Sequence, residues 1–195
     1  DGVDLCAEHC DVYLMWPETE QKLQGLMDDM TNRASDYERL VQFGLRVHVI
    51  VRETEKDARA YANNLLSKLD LDLGKDIRKR AQDAASLGVA RQAMLREEAD
   101  NQHYVEPNLW TGIGLARSGC GAAIVGDPVQ VLAKINRYMD MGIRSFIFSG
   151  YPHHQECELF AKYVLPHIKT VSLPEVFGRR PKKTPNSPLG NGFRK

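Results

Sequence analysis

The stretch Val41 to Val51 limits the fold more than any other. Its odd positions, Val41, Phe43, Leu45, Val47, Val49 and Val51, are all apolar, while the even positions carry Gln42, Gly44, Arg46, His48 and Ile50. A period of two is the signature of a β-strand, because successive side chains point to opposite faces. Arg46 and His48 therefore share one face, roughly 7 Å apart, and the other face is a continuous apolar ridge. A parallel strand in an open α/β sheet is apolar on both faces. A guanidinium and an imidazole on one face therefore point to a barrel lumen or a ligand crevice, with an edge strand wet on one side as the alternative.

Other elements fall into place around that strand. Asp4 to His9 reads as a helix, and Cys10 to Trp16 as a buried strand stopped by Pro17. Thr19 can cap a helix whose Leu23, Leu26, Met27 and Met30 recur at helical spacing, which completes a β-α-β unit with the Arg46/His48 strand. Thr54 starts the next helix, with Ala58, Tyr61, Ala62, Leu65, Leu66 and Leu69 on one face. Asp70 to Asn101 is helical, highly charged and poor in large apolar residues, so it reads as an insertion outside the core that covers a site or mediates assembly. In Pro107 to Gly121 the glycines at 112, 114, 119 and 121 permit close backbone approach to a ligand, and Arg117 is the one charge among them. The spacing is a poor dinucleotide fingerprint; an anion-binding or gating loop fits it better.

Asp127, Pro128 and the stripe Val131, Leu132, Ile135 and Met139 mark a helix ended by Gly142. Ile143 to Ser149 is apolar on both faces and reads as a buried parallel strand. It runs into Ser149-Gly150-Tyr151-Pro152-His153-His154, polar residues at a strand's carboxyl end, where α/β folds place their active sites. A last helix covers Gln155 to Leu165.

Composition sets the outer bounds. With 26 basic and 26 acidic residues among 195, the net charge is zero, which argues against nucleic acid as a partner. The apolar runs fall far short of the ~20 residues that a membrane-spanning helix needs. Cys6, Cys10, Cys120 and Cys157 show no paired spacing of a disulfide framework, so a reducing cytoplasm is the default. Cys6, His9 and Cys10 could share a helical face, but no fourth ligand stands nearby and no metal is expected.

Four motifs together resemble the alkanesulfonate monooxygenases and the closely similar methanesulfonate enzymes. They are Tyr13-Leu14-Met15-Trp16, the run from Phe43 to Thr54, Pro107-Asn108-Leu109-Trp110 with Gly112-Ile113-Gly114-Leu115, and Ser149-Gly150-Tyr151-Pro152-His153. These enzymes belong to the bacterial-luciferase-like, flavin-dependent superfamily. The resemblance implies the C-terminal half of a (β/α)8 TIM barrel, with residues 1–170 as partial barrel, a helical insertion at about 70–121 before the last barrel strand, and a basic Pro/Gly-rich tail over 171–195. It implies reduced FMN delivered by an NAD(P)H-dependent FMN reductase, and O2-dependent cleavage of a sulfonate C–S bond to sulfite and an aldehyde, in a homo-oligomer. It assigns Arg46, His48, Arg117 and Tyr151 to catalysis, with Arg46 and Arg117 on the sulfonate and Trp16, His48 and Tyr151 against the flavin.

The same resemblance places the first five barrel strands, an active-site cysteine and a Gly-Gly-Ser-Ser phosphate loop before residue 1. Three barrel strands, ending at Trp16, Val51 and Ser149, would leave two edges open. Alternatives are a related oxygenase acting on a sulfone, another luciferase-like enzyme, or a non-catalytic fragment kept for assembly.

Overall fold

The alternation of Val41 to Val51 becomes the central strand of the sheet. The structure, a computed structural model, describes residues 2–81, 86–116, 119–171 and 178. Its elements run α1 (Gly2–His9), β1 (Val12–Met15), α2 (Glu20–Ser35), β2 (Gln42–Val51), α3 (Glu55–Leu66), α4 (Leu71–Ala81), α5 (Leu87–Glu97), β3 (Tyr104–Glu106), β4 (Leu109–Trp110), α6 (Ile113–Ala116), β5 (Ala123–Gly126), α7 (Pro128–Asp140), β6 (Ile143–Ser149) and α8 (His153–Tyr163). The result is a mixed α/β fold around a curled, half-barrel sheet.

Strand β2 pairs with three parallel neighbours. β1 meets its first half (Val12 opposite Gln42 to Met15 opposite Leu45), β5 meets its second half (His48 opposite Ala123 to Val51 opposite Gly126), and β6 pairs from Phe43 to His48. A register shift after Phe43 puts Ser145, Ile147 and Ser149 opposite Gly44, Arg46 and His48, so these residues share a face. β3 and β4 add an antiparallel ribbon beyond β5, in the order β1-β2-β5-β4-β3.

The odd face of β2 is the core. Leu45, Val47, Val49 and Val51 pack with Leu23 and Met27 of α2, Val131, Ile135 and Tyr138 of α7, and Val164 just after α8. Each such side chain contributes roughly 1.5–3 kcal/mol by leaving water. The starts of α2 and α7 lie where their sequences put them, whereas α3 stops at Leu66, short of Leu69, and the last helix runs His153–Tyr163 and not Gln155 to Leu165. Thr19 accepts a hydrogen bond from the Lys22 amide, and Asp127 and Gln130 form a reciprocal capping box under Pro128. Gly142 closes α7 at a φ of 108°, which a side chain would strain.

Several expectations change. The sheet has three strands more than expected: β3, β4 and β5 span three, two and four residues, too short for a period to show. β1 and β6 are not buried on both faces. Leu14 and Ile147 are each 47% exposed on the face they share with Arg46. The insertion divides: α4 leaves Leu71, Leu73 and Ile77 in solvent, whereas α5 buries Leu95 with Leu109 and Ala122. The glycines approach protein atoms. A Cβ at Gly112 would meet the Trp110 ring at 2.2 Å, and one at Gly121 would meet Gln92 Oε1 at 2.5 Å.

Beyond His48, the even face of β2 is covered by α3 and by the end of the insertion. Ile50 packs with Ala58 and Ala62 of α3 and with Trp110, Ile113 and Val125. α3 therefore reaches the carboxyl end of the sheet on the inward side, which brings Tyr61 to the loop after β6. No helix among the described residues is long and apolar enough to cross a membrane. Residues 179–195, most of the tail, lie outside the described residues.

Candidate active site

His48 sits at 1% exposure where β2 meets β5 and β6. Its cross-strand partner Ser149 places Oγ 2.7 Å from Nδ1, a hydrogen bond that fixes the orientation of the ring. Two residues on, Tyr151 sets its ring 5.5 Å from that of His48, and the rings of Tyr151 and His153 stand 4.7 Å apart. His153 Nδ1 in turn contacts the Gly150 carbonyl. Tyr151 is joined to Pro152 by a cis peptide.

Arg46 lies two residues before His48 on the same face. Its side chain is half-buried, and Nε is buried with no hydrogen-bond partner among the described residues. A buried guanidinium nitrogen left unpaired is costly unless a ligand supplies the acceptor. Its surroundings on that face are Gly44, Leu14, Ser145 and Ile147, small or half-exposed apolar groups. Behind Arg46, the thiol of Cys120 donates to the Arg46 carbonyl at 3.2 Å, and the His48 amide donates to the Ala122 carbonyl at 3.2 Å. The segment Gly119–Ala122 is therefore seated along β2 beside the cluster.

The structure thus brings together His48 and Tyr151, with Arg46 one step along the same strand face. Trp16, just past β1, lines a cavity of about 430 Å³ with Leu14, Glu18, Ser86, Gly88 and Arg91. Glu18 is almost fully buried there, and burial pushes its carboxyl above the usual range against the pull of Lys22 and Arg91. Arg117 lies outside the described residues.

Sequence reasoning missed Tyr61, Arg52 and Glu156. Tyr61 donates to the Tyr151 carbonyl at 2.9 Å, and Arg52 and Glu156 form an ion pair beneath it. Tyr61 reads as one more apolar position of α3, and a buried glutamate in an otherwise polar helix start carries no periodic signal. The available hint was Gly150, whose lack of a side chain makes room for Glu156.

A curled half-barrel sheet of parallel strands, with Arg46 and His48 on one face of β2 and Tyr151 just past the carboxyl end of β6, is the arrangement of part of a TIM barrel. The profile of the luciferase-like monooxygenases matches residues 1–145, and the chain belongs to that family. It is 57% identical over 194 residues to a sulfoquinovose monooxygenase of Agrobacterium fabrum, covering 100% of this chain and 50% of that protein. A sulfoquinovose monooxygenase of Novosphingobium aromaticivorans is 60% identical over 168 residues, 86% of this chain and 46% of its own. The chain spans about half the length of the curated relatives it matches. Among solved structures, DmoA from Hyphomicrobium sulfonivorans superposes with a TM-score of 0.60 at 19% identity, over 95% of this chain and 42% of DmoA. The long-chain alkane monooxygenase LadA gives 0.59 at 16%, over 95% and 41%. At those identities the likeness is one of fold.

Proposed function

We propose that this chain supplies one side of the active site of a reduced-FMN-dependent monooxygenase that cleaves the C–S bond of an organosulfonate, with sulfoquinovose favoured over an unsubstituted alkanesulfonate. The observation that carries the reading is the cluster of Arg46, His48 and Tyr151 on the inward face of the sheet, in a chain 57% identical along its length to a sulfoquinovose monooxygenase. A sulfonate is anionic at every physiological pH and is matched by a guanidinium fork. Arg46, with a buried Nε that lacks an acceptor among the described residues, is suited to receive it.

The donor set also fits a flavin. Leu14 and Ile147 offer apolar surface to a flat ring, and Trp16 and Tyr151 offer aromatic faces beside it. When bound, the reduced flavin supplies two electrons and the centre at which O2 is activated. This chain's own residues do the rest. Arg46 holds the sulfonate oxygens, the His48 imidazole moves a proton, and Tyr151 Oη holds a proton for the developing oxygen charge. The packed α3 and β4 over Ile50 exclude water from the carboxyl end of β2. Sulfite leaves, and the carbon that bore it becomes an aldehyde. Beside Trp16, the groups Glu18, Ser86 and Arg91 are hydrogen-bonding partners that a sugar ring uses and an alkyl chain does not.

A separate NAD(P)H-dependent FMN reductase is the proposed source of reduced flavin. The test is sulfite release from the complete protein supplied with FMN, such a reductase and O2. Sulfoquinovose is expected to release sulfite, octanesulfonate much less. Release from octanesulfonate alone would overturn the substrate assignment, and release from neither would overturn the activity. In the same assay, His48→Ala is expected to lower kcat by about 10²-fold while flavin affinity holds, because proton transfer belongs to the transition state.

A further inference from the structure

Side chains from three separate elements converge on the backbone that carries Tyr151. Arg52, just past β2, forms a two-pronged ion pair with Glu156 in the first turn of α8, Nη2 to Oε1 at 2.7 Å and Nη1 to Oε2 at 3.0 Å. Nη1 also donates to the Val51 carbonyl at 2.7 Å. The guanidinium lies 3.8 Å from the centroid of the Tyr61 ring in α3, and the Tyr61 hydroxyl donates to the Tyr151 carbonyl. Glu156 is only 4% exposed. A Cβ on Gly150 would stand 2.5 Å from Glu156 Cβ and 2.7 Å from its Cγ, so glycine is what lets the carboxylate pass under the loop.

Stability alone is a weak reason for such an arrangement. A buried ion pair is often matched or bettered by apolar residues of the same volume, because desolvating two charges offsets their attraction. What a forked pair does provide is orientation. Two parallel hydrogen bonds fix the plane of the guanidinium, the plane fixes the ring stacked on it, and the ring fixes where its hydroxyl points. Burial, aided by the Glu156 carboxylate, pushes the Tyr61 phenol above its usual range, so it keeps the proton it donates.

We propose that Tyr61 and the Arg52–Glu156 pair are positioning residues that hold Tyr151 against His48. The chain of contacts runs from α8 through Arg52 and Tyr61 to the Tyr151 carbonyl, and ends at the two rings 5.5 Å apart. This inference rests on the reading of His48 and Tyr151 as part of the active site. Lysine cannot replace Arg52, because an ammonium has no plane to impose.

The test uses Tyr61→Phe, which removes one oxygen and keeps the ring under the guanidinium, and Arg52→Lys. In the complete protein without flavin or substrate, the ring proton resonances of His48 are followed by NMR, with His9 in α1 as a distant reference. Tyr61→Phe and Arg52→Lys are each expected to move the His48 resonances, as the ring current of Tyr151 is displaced, and to leave those of His9 in place. In sulfite release, both are expected to lower kcat by about tenfold with KM for the sulfonate within about twofold, the signature of misplaced catalytic groups. His48 resonances unmoved in Tyr61→Phe overturn the inference, whatever the activity. If the unsubstituted protein releases no sulfite, the proposed function falls, while the resonances still decide whether Tyr61 positions Tyr151. Should Arg52→Lys fail to fold, Tyr61→Phe decides the matter alone.

Discussion

Lys134 and Arg52 are both cations taken out of water by carboxylates far away in sequence, and they are held in different ways. Lys134, in the middle of α7, has no exposed side-chain surface. Its ammonium meets Glu20 at the start of α2 at 2.6 Å and Glu106 of β3 more closely still, over the face of Tyr138. Glu106 also accepts from the Glu20 amide at 3.0 Å, and Arg137 donates to Glu20 at 2.7 Å. Arg52 instead meets a single carboxylate through two parallel hydrogen bonds. An ammonium is a compact point charge that ties three elements together without fixing a plane, whereas a guanidinium fork fixes one. The first arrangement suits fastening of the β3-β4 ribbon to the helices, and the second suits aiming of Tyr151.

If that contrast is right, the largest effect on stability comes from the point charge. Lys134→Ala takes the buried ammonium from between Glu20, which keeps Arg137, and Glu106, which keeps no cation, and is expected to cost about 3 kcal/mol, the low end of the usual cost of breaking a buried pair. Urea unfolding of the complete protein measures it. Lys134→Met keeps much of the volume, but Glu106 still lacks a cation and Glu20 keeps only Arg137, so it is expected to recover only part of the loss. A Lys134→Ala protein as stable as its parent would show that the cluster fastens nothing.

The fork is broken from the other side by Gly150→Ala. The new methyl has to displace Glu156, whose Cβ lies 2.5 Å from where it would sit. Overpacking of this kind costs about 1–3 kcal/mol. The sharper expectation is that Gly150→Ala loses more activity than stability, while Lys134→Ala does the reverse. Unfolding and sulfite release measured on the same preparations compare the two, and equal losses in both proteins would erase the distinction.

How much of this was visible in the sequence depends on the kind of signal. The alternation around His48 located β2, its packed face and the face of Arg46, since a period of two sustained over many residues has few other readings. Caps at Thr19, Thr54 and Asp127 lie where the hydroxyl and carboxylate positions put them. The position of Tyr151 just past a strand end places it near His48, and the two rings stand 5.5 Å apart. The strands β3, β4 and β5 were not legible, because they exist through pairing with β2 and each other more than through any local pattern. Lys134 and Glu156 were illegible for a related reason. A charged residue in a helix reads as solvated until a partner 28, 104 or 114 positions away removes it from water.

The smallest expected effect isolates burial as the cause. Lys22 donates to both oxygens of Glu98 at 2.7 and 2.6 Å, joining α2 to the end of α5, and the contact is as short as that of Lys134 with Glu20. Here, though, the side chains are 39% and 44% exposed. Water already solvates both charges, long side chains lose entropy to hold one geometry, and salt screens what attraction remains. Lys22→Ala is therefore expected to cost less than about 1 kcal/mol in urea unfolding, and less again at 1 M salt than at low salt. Lys134→Ala should keep more of its cost at both concentrations, because the ammonium it removes is wholly buried and the Glu106 side chain is only 16% exposed. A Lys22→Ala loss as large and as salt-insensitive as that of Lys134→Ala would mean that short contact distance, rather than removal from water, governs these pairs. The contrast drawn between the two buried clusters would then lose its footing.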